Sequence, residues 1–122
     1  GPMRGIDVTG KNFEASVAGA EIALIQCWAP WCGACVADGS AFEEVASRHG
    51  EHLFGRLNTE EEEALVGQLS IAHVPALLVF REGFLLFKQS GRFGEEQLED
   101  IVSQVERVDM EEVRAAFSEE MG

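Results

Sequence analysis

Basic residues are scarce in this chain of 122: nine Lys and Arg stand against 22 Asp and Glu, a formal charge of −13. Such a surface repels phosphate backbones, which excludes nucleic-acid binding driven by counterion release. No apolar run approaches the roughly 20 residues that a membrane-spanning helix needs, so no membrane role is expected. Cysteine is equally sparse. Cys27, Cys32 and Cys35 are too few for a disulfide scaffold, and two of them form a C-x-x-C pair. Repeats, low-complexity tracts and linkers are also missing. The length suits one compact domain with one core, and 46% hydrophobic with 25% charged residues excludes disorder throughout. Gly1-Pro2-Met3 has the form of a protease-cleavage scar before a native start methionine. No signal peptide follows, so a cytoplasmic location is expected. There, a C-x-x-C pair means redox chemistry or metal.

Hydrophobic spacing sets out the elements. Ile6-Asp7-Val8 suits a short edge strand, and Thr9 is placed to cap a short helix burying Phe13 and Val17. Residues 22–28 are a nearly continuous apolar run, as in a central strand covered on both faces, and Ala29-Pro30-Trp31 breaks it. A helix is expected from residue 32 to about 49, with Phe42, Val45, Ala46 and His49 on one face and a bend at Gly39-Ser40. Residues 53–57 read as the next strand. Thr59 with Glu62 matches a capping box, and the glutamates at 60–63 read as a solvated, dipole-compensating cap for a helix burying Leu65 and Leu69. Val74-Pro75 opens a strand over 76–80, and Arg81-Glu82-Gly83 turns it into another over 84–87. Leu98, Ile101, Val102 and Val105 share a helical face, and Asp109 with Glu112 restarts a helix bearing Met110, Val113 and Phe117.

Helix–strand alternation followed by a hairpin and a last helix implies an α/β fold: a mixed sheet, parallel in its first half, with helices on both faces. The expected division is a folded unit over 3–108, a C-terminal helical extension over 109–122, and a tag remnant at 1–2. The extension packs on its own domain, self-associates, or offers its apolar residues to a partner.

Cys32-Gly33-Ala34-Cys35 lies where a buried strand ends and a long helix begins. Unpaired N–H groups and the macrodipole at a helix N-terminus favour a thiolate on the first cysteine. The i, i+3 spacing puts both sulfurs on one side of the first turn, close enough for a small disulfide ring. Gly33 and Ala34 are small and leave Cys32 accessible. The thiolate is the attacking species in exchange, so Cys32 is the activated sulfur and Cys35, one turn deeper, resolves the mixed disulfide. Zinc competes with this reading, because Cys32-x2-Cys35-x13-His49-x2-His52 comes close to a finger pattern. The helix between the cysteines and His49 rises about 21 Å, however, far beyond a bond to zinc of about 2.3 Å. Neither metal nor cofactor is therefore expected; His49 reads as a helix C-terminal residue and His52 as a loop residue.

Trp28-Ala29-Pro30-Trp31-Cys32-Gly33-Ala34-Cys35 resembles the active-site segment of the thioredoxin family, and Val74-Pro75 before a strand resembles that family's cis-proline loop. Arg56-Leu57-Asn58, Glu82-Gly83 and Gly91 match in the right order, so the likeness spans about residues 6–105. The resemblance implies the thioredoxin fold and a thiol-disulfide oxidoreductase acting on protein disulfides, reset by a thioredoxin-reductase-type donor or a small thiol. It further implies a cis bond at Pro75 beside the sulfurs, strand addition of the substrate at Val74, and Trp31 as an apolar rim. His73 stands at the same groove, with an exposed loop histidine as the alternative, and Trp28 suits the core.

Two departures from the family pattern carry consequences. The usual Gly-Pro between the cysteines is Gly-Ala, so Ala34 leaves the helix start less rigid and adds an N–H that favours the thiolate. The family's buried aspartate is replaced by Gln26, which cannot take a proton, so Cys35 lacks the usual base. Arg56 stands where the family often has the lysine associated with that aspartate. Asp38, one turn after Cys35, reads as a solvated helix residue, with a proton relay as the alternative. Cys27 falls on the opposite strand face from Gln26 and reads as a small buried hydrophobe rather than a third redox thiol. A reading from a different class is a binding or chaperone-like module with incidental turnover. Gln26 and the acidic last helix favour it, and the intact cysteine pair opposes it.

Overall fold

The computed structural model describes residues 5–121, so Gly1-Pro2-Met3 lies outside the described residues. The elements run β1 (Ile6–Asp7), α1 (Phe13–Ala18), β2 (Ile22–Trp28), α2 (Gly33–Arg48), β3 (Leu53–Asn58), α3 (Glu63–Leu69), β4 (Ala76–Arg81), β5 (Phe84–Ser90), α4 (Glu95–Glu106) and α5 (Met110–Met121). They build a five-stranded sheet in the order β1-β3-β2-β4-β5. β1, β3 and β2 are parallel, whereas β4 pairs antiparallel with both β2 and β5, so the expected mixed sheet is what forms.

β2 is apolar throughout most of its length because both its faces are covered. Ile22 and Leu24 point to the layer of α2 and α4, where they meet Phe42, Val45, Ala46, Leu98, Val102 and Val105. Ala23, Ile25 and Cys27 point the other way, toward Val17 of α1 and Leu65 of α3. The strand period of two thus divides one run between two cores. Glu82 (φ 52°) and Gly83 (φ 84°) both take left-handed backbone in the β4–β5 turn. Two such residues in a row match the twist of a tight hairpin, at no steric penalty for glycine.

Three helices differ from expectation. Thr9 does not cap α1: its Oγ1 accepts from the amides of Lys11 (3.2 Å) and Asn12 (3.3 Å), while Asn12 Oδ1 accepts from the Thr9 amide (2.8 Å). Thr9 and Asn12 thereby close a turn of their own, and the helix begins after it. The capping box at Thr59 does not form either. Thr59 donates through N (2.9 Å) and Oγ1 (3.1 Å) to the Trp28 carbonyl, tying the segment to the end of β2, and α3 starts only at Glu63. Finally, α2 runs unbroken through Gly39-Ser40. Gly39 is small for packing rather than bending, since a Cβ there would come within 3.4 Å of the Arg56 guanidinium.

The last helix docks on its own domain. Asp109 Oδ1 accepts from the Glu111 (3.0 Å) and Glu112 (3.4 Å) amides, Met110 is buried, and Phe117 meets Phe84 edge-on with centroids 5.3 Å apart. Arg114 pairs with Glu82 in the hairpin turn. Arg81 at the end of β4 secures the junction: its Nη1 donates to the carbonyls of Val105 (2.8 Å), Glu106 (3.0 Å) and Val108 (2.9 Å).

Candidate active site

Cys32 is the N-cap of α2, in extended backbone at φ −92° and ψ 105°, and its Sγ accepts a hydrogen bond from the Cys35 amide at 3.2 Å. A side-chain acceptor at this position satisfies one of the helix's orphan amides, and a sulfur carrying negative charge satisfies it better. The amide that reaches Cys32 Sγ is that of Cys35, not the Ala34 amide expected from the missing proline. Cys32 and Cys35 are joined as a disulfide with Cα atoms 5.3 Å apart. Their exposures differ in the useful direction: Cys32 keeps 7% of its surface and Cys35 none. A visiting sulfur therefore reaches Cys32 first.

The surroundings of the pair come from the end of β2 and the loop after it, the first turn of α2, and the loop before β4. Ala29, Trp28, Ala34 and Val74 pack about the two cysteines. The Val74-Pro75 peptide bond is cis, as the family resemblance implied, and the Pro75 carbonyl accepts from the Gly91 amide at 2.8 Å. Gly33 is exposed, and Trp31, the residue before Cys32, is 70% exposed. The indole Nε1 of Trp31 donates to the Glu60 carboxylate. The acidic run is solvent-facing, with Glu63 in the first turn of α3 as expected of a dipole-compensating cap, and it is also tied down: Glu61 accepts from Asn58 Nδ2 (3.2 Å) and Glu62 from the Gly10 amide (2.7 Å). Trp31, Thr59, Glu60, His73 and Val74 line a shallow cavity of about 310 Å³. His73 is exposed, as the loop reading expected, and borders that cavity.

On β2, Gln26 is buried and engaged at both ends of its amide. Its Nε2 donates to the Asp38 carbonyl (3.3 Å) and its Oε1 accepts from Arg56 Nε (3.0 Å). Arg56 lies 4.7 Å from the centre of the partly buried Trp28 ring, and burial pulls its pKa below the ordinary guanidinium value. Cation and ring face each other in favourable cation–π geometry.

Asp38 corrects the sequence reading. It is buried, not solvated, and Arg92 places both Nε and Nη2 at 2.9 Å from its Oδ1. Its Oδ2 is buried with no hydrogen-bond partner among the described residues. The buried face of α2 comprises Cys35, Asp38, Gly39, Phe42, Val45 and Ala46, an i, i+3, i+4 pattern. Extending that pattern backward from Phe42 was the signal available for Asp38. Cys27 is fully buried on the other face of β2, where burial pushes its thiol up to about 12, with Lys88 opposing. His49 sits at the C-terminal cap of α2, the opposite end of the helix from the cysteines, so the finger pattern is not assembled.

Comparison with known proteins agrees with this geometry. A family model described as Thioredoxin matches residues 5–106. A Streptomyces coelicolor protein named "Putative thioredoxin 2" is 35% identical over 115 residues, covering 94% of this chain and 86% of the relative. "Thioredoxin 2" of Chlorobaculum tepidum is 31% identical over 87 residues, covering 70% of this chain and 80% of the relative. In fold, the chain is similar to a mutant thioredoxin from Halobacterium salinarum NRC-1, with a TM-score of 0.80 at 20% identity over 89% of this chain and 97% of that one.

Proposed function

The chain belongs to the thioredoxin family and is a thiol-disulfide oxidoreductase; from that premise we propose that Cys32 attacks and Cys35 resolves in the reduction of protein disulfides. The observation that carries the assignment is the asymmetry of the pair. Cys32 Sγ accepts the Cys35 amide at the helix N-terminus and alone retains exposed surface. In the reduced state, the Cys32 thiolate attacks one sulfur of a client disulfide, forming a mixed disulfide and releasing a client thiolate that takes up a proton. The Cys35 thiol then loses its proton and attacks Cys32 Sγ, closing the Cys32–Cys35 disulfide and freeing the second client thiol. Two electrons pass to the client. A thioredoxin-reductase-type dithiol donor returns the pair to the reduced state, in a cytoplasmic role in electron transport and redox homeostasis.

The client binds as an extended segment across Val74, whose amide and carbonyl have no main-chain partner among the described residues. Trp31, His73 and Val74 line one cavity, which suits strand addition beside an apolar rim, and Gly33, Ala34 and Pro75 are assigned to the same client site. Residues 3–108 are assigned to the redox unit and 109–122 to an accessory extension, whose helix runs Met110–Met121. Gln26 and Arg56 modulate the site, since with glutamine in the buried position the Cys35 proton leaves to water rather than to a carboxylate.

The test is catalytic reduction of a generic protein disulfide by this chain and two variants. Cys32→Ser abolishes turnover, and Cys35→Ser accumulates a covalent client adduct through Cys32. Turnover that persists in Cys32→Ser would sink the assignment. Stoichiometric client binding indifferent to that change would point instead to a binding module.

A further inference from the structure

We propose that His49, Glu51, His52 and Glu106 form a binding site for one divalent transition-metal ion of the zinc class, at the end of α2 remote from the cysteines. One donor atom from each of these four lies within 4.8 Å of all the others. The backbone brings three of them together in a single turn. His49 ends α2, and the His52 amide donates to the His49 carbonyl at 3.0 Å, which stacks the two imidazoles with centroids 6.0 Å apart and planes 10° from parallel. Glu106, the last residue of α4, completes the set from the neighbouring helix.

The two distances to Glu51 match ligand edges around an ion, whereas the His52–Glu106 distance is that of a hydrogen bond, which an incoming ion would replace. His49 Nδ1 and His52 Nε2 both stand 3.4 Å from the same Glu51 Oε1, and His52 Nε2 stands 2.9 Å from Glu106 Oε2. A good N–H···O bond is about 2.9–3.0 Å, whereas tetrahedral bonds of about 2.0–2.2 Å to nitrogen and oxygen leave ligand edges of about 3.3–3.6 Å. Two neutral imidazoles and two carboxylates also balance a double positive charge, and such a mixed nitrogen and oxygen set suits zinc, cobalt or nickel rather than calcium.

An outer shell is partly in place. His49 Nε2 is held by Glu99 of α4 at 2.7 Å, the carboxylate–imidazole arrangement that leaves Nδ1 free to ligate. Burial of the His52 side chain, 6% exposed, keeps its Nδ1 from solvent, so Nε2 is the atom it offers. Glu51 and Glu106 are 60% and 43% exposed, which leaves an entry path on one side.

The experiment is a Co²⁺ titration, followed by Zn²⁺ displacement, of the full chain with the Cys32–Cys35 disulfide intact so that no thiolate competes. One ion per chain with tetrahedral cobalt absorption is the expected result. His49→Ala and His52→Ala each weaken apparent affinity at least about tenfold, and Glu99→Gln does so by about 10- to 100-fold through the outer shell. Glu106→Gln keeps the size and hydrogen bonding of the side chain but weakens the ion at least about tenfold, and it serves if a histidine variant fails to fold. Disulfide reduction by the reduced chain persists in all four variants, because the site lies at the far end of α2. Less than one ion per chain, or affinity unchanged by these substitutions, would overturn the proposal.

Discussion

Arg56 Nε donates to Gln26 Oε1 across 3.0 Å, between strand positions that are direct partners in the β2–β3 register. The position that the family resemblance associates with a buried acid is here an amide held by a guanidinium. Replacing Gln26 by Asp puts a carboxylate against Arg56, which favours the ionised form able to accept the Cys35 proton but also lowers its basicity. Gln26→Asp is therefore expected to shorten the lifetime of the Cys32 mixed disulfide, by less than the about 100-fold that a base matched to neutral pH supplies. Equal lifetimes in rapid-quench measurements would refute a proton-transfer role for this position.

Trp31, 70% exposed beside Cys32, is expected to act on client binding rather than on sulfur chemistry. Trp31→Ala should raise KM for a protein disulfide by about tenfold, the scale of one aromatic anchor, and leave the reaction with a small disulfide unchanged. A matching loss with both substrates would mean that the indole instead supports the cysteine loop.

The Cys27 thiol, pushed up to about 12 from an ordinary 9.0 by burial, is expected to stay neutral and unreactive in the folded chain. With the disulfide intact, a thiol reagent at pH 8 should find no reactive group until the protein unfolds, and then one per chain. Because the folded value is the higher one, this thiol leaves stability untouched below about pH 9. Between about 9 and 12 the unfolded thiol ionises while the folded one does not, eroding stability by up to about 1.4 kcal/mol per pH unit. The difference in denaturant midpoint between the parent chain and Cys27→Ala should change with pH only in that window, and a difference constant with pH would count against it.

Arg81 holds three carbonyls at the end of α4 and the α4–α5 junction through one nitrogen, and its side chain is 14% exposed. Arg81→Ala should lower unfolding free energy by about 3 kcal/mol, the scale for charge-assisted hydrogen bonds whose acceptors are left without partners. The same change should expose Met110 and α5 to proteolysis. Stability within about 0.5 kcal/mol of the parent, the range of an ordinary surface change, would show that water replaces the guanidinium.

Much of the fold could be read from the chain because its signals are local. The apolar run of β2, the Phe42-Val45-Ala46 face, the Glu82-Gly83 turn and the opening of a helix on Cys32 all involve neighbours within a few positions. Helix starts at Thr9 and Thr59 misled for different reasons: Thr9 takes the amides two and three residues on, but in a turn that precedes the helix, whereas Thr59 turns to the Trp28 carbonyl. Asp38 misled because a charged side chain suggests water unless a partner is known, and Arg92 lies 54 residues away.

By itself, then, the sequence determined the order of elements, the central strand and the position of two sulfurs one turn apart at a helix start. These follow from backbone sterics, periodicity and the orphan amides of a first turn, none of which needs a distant residue. Only the tertiary structure decided what surrounds them. Gln26 meets Arg56, Trp31 meets Glu60, Asp38 meets Arg92, and His52 meets Glu106, at separations of 29 to 54 residues. Such pairs depend on strand order and helix docking, which bring together side chains that no spacing along the chain relates.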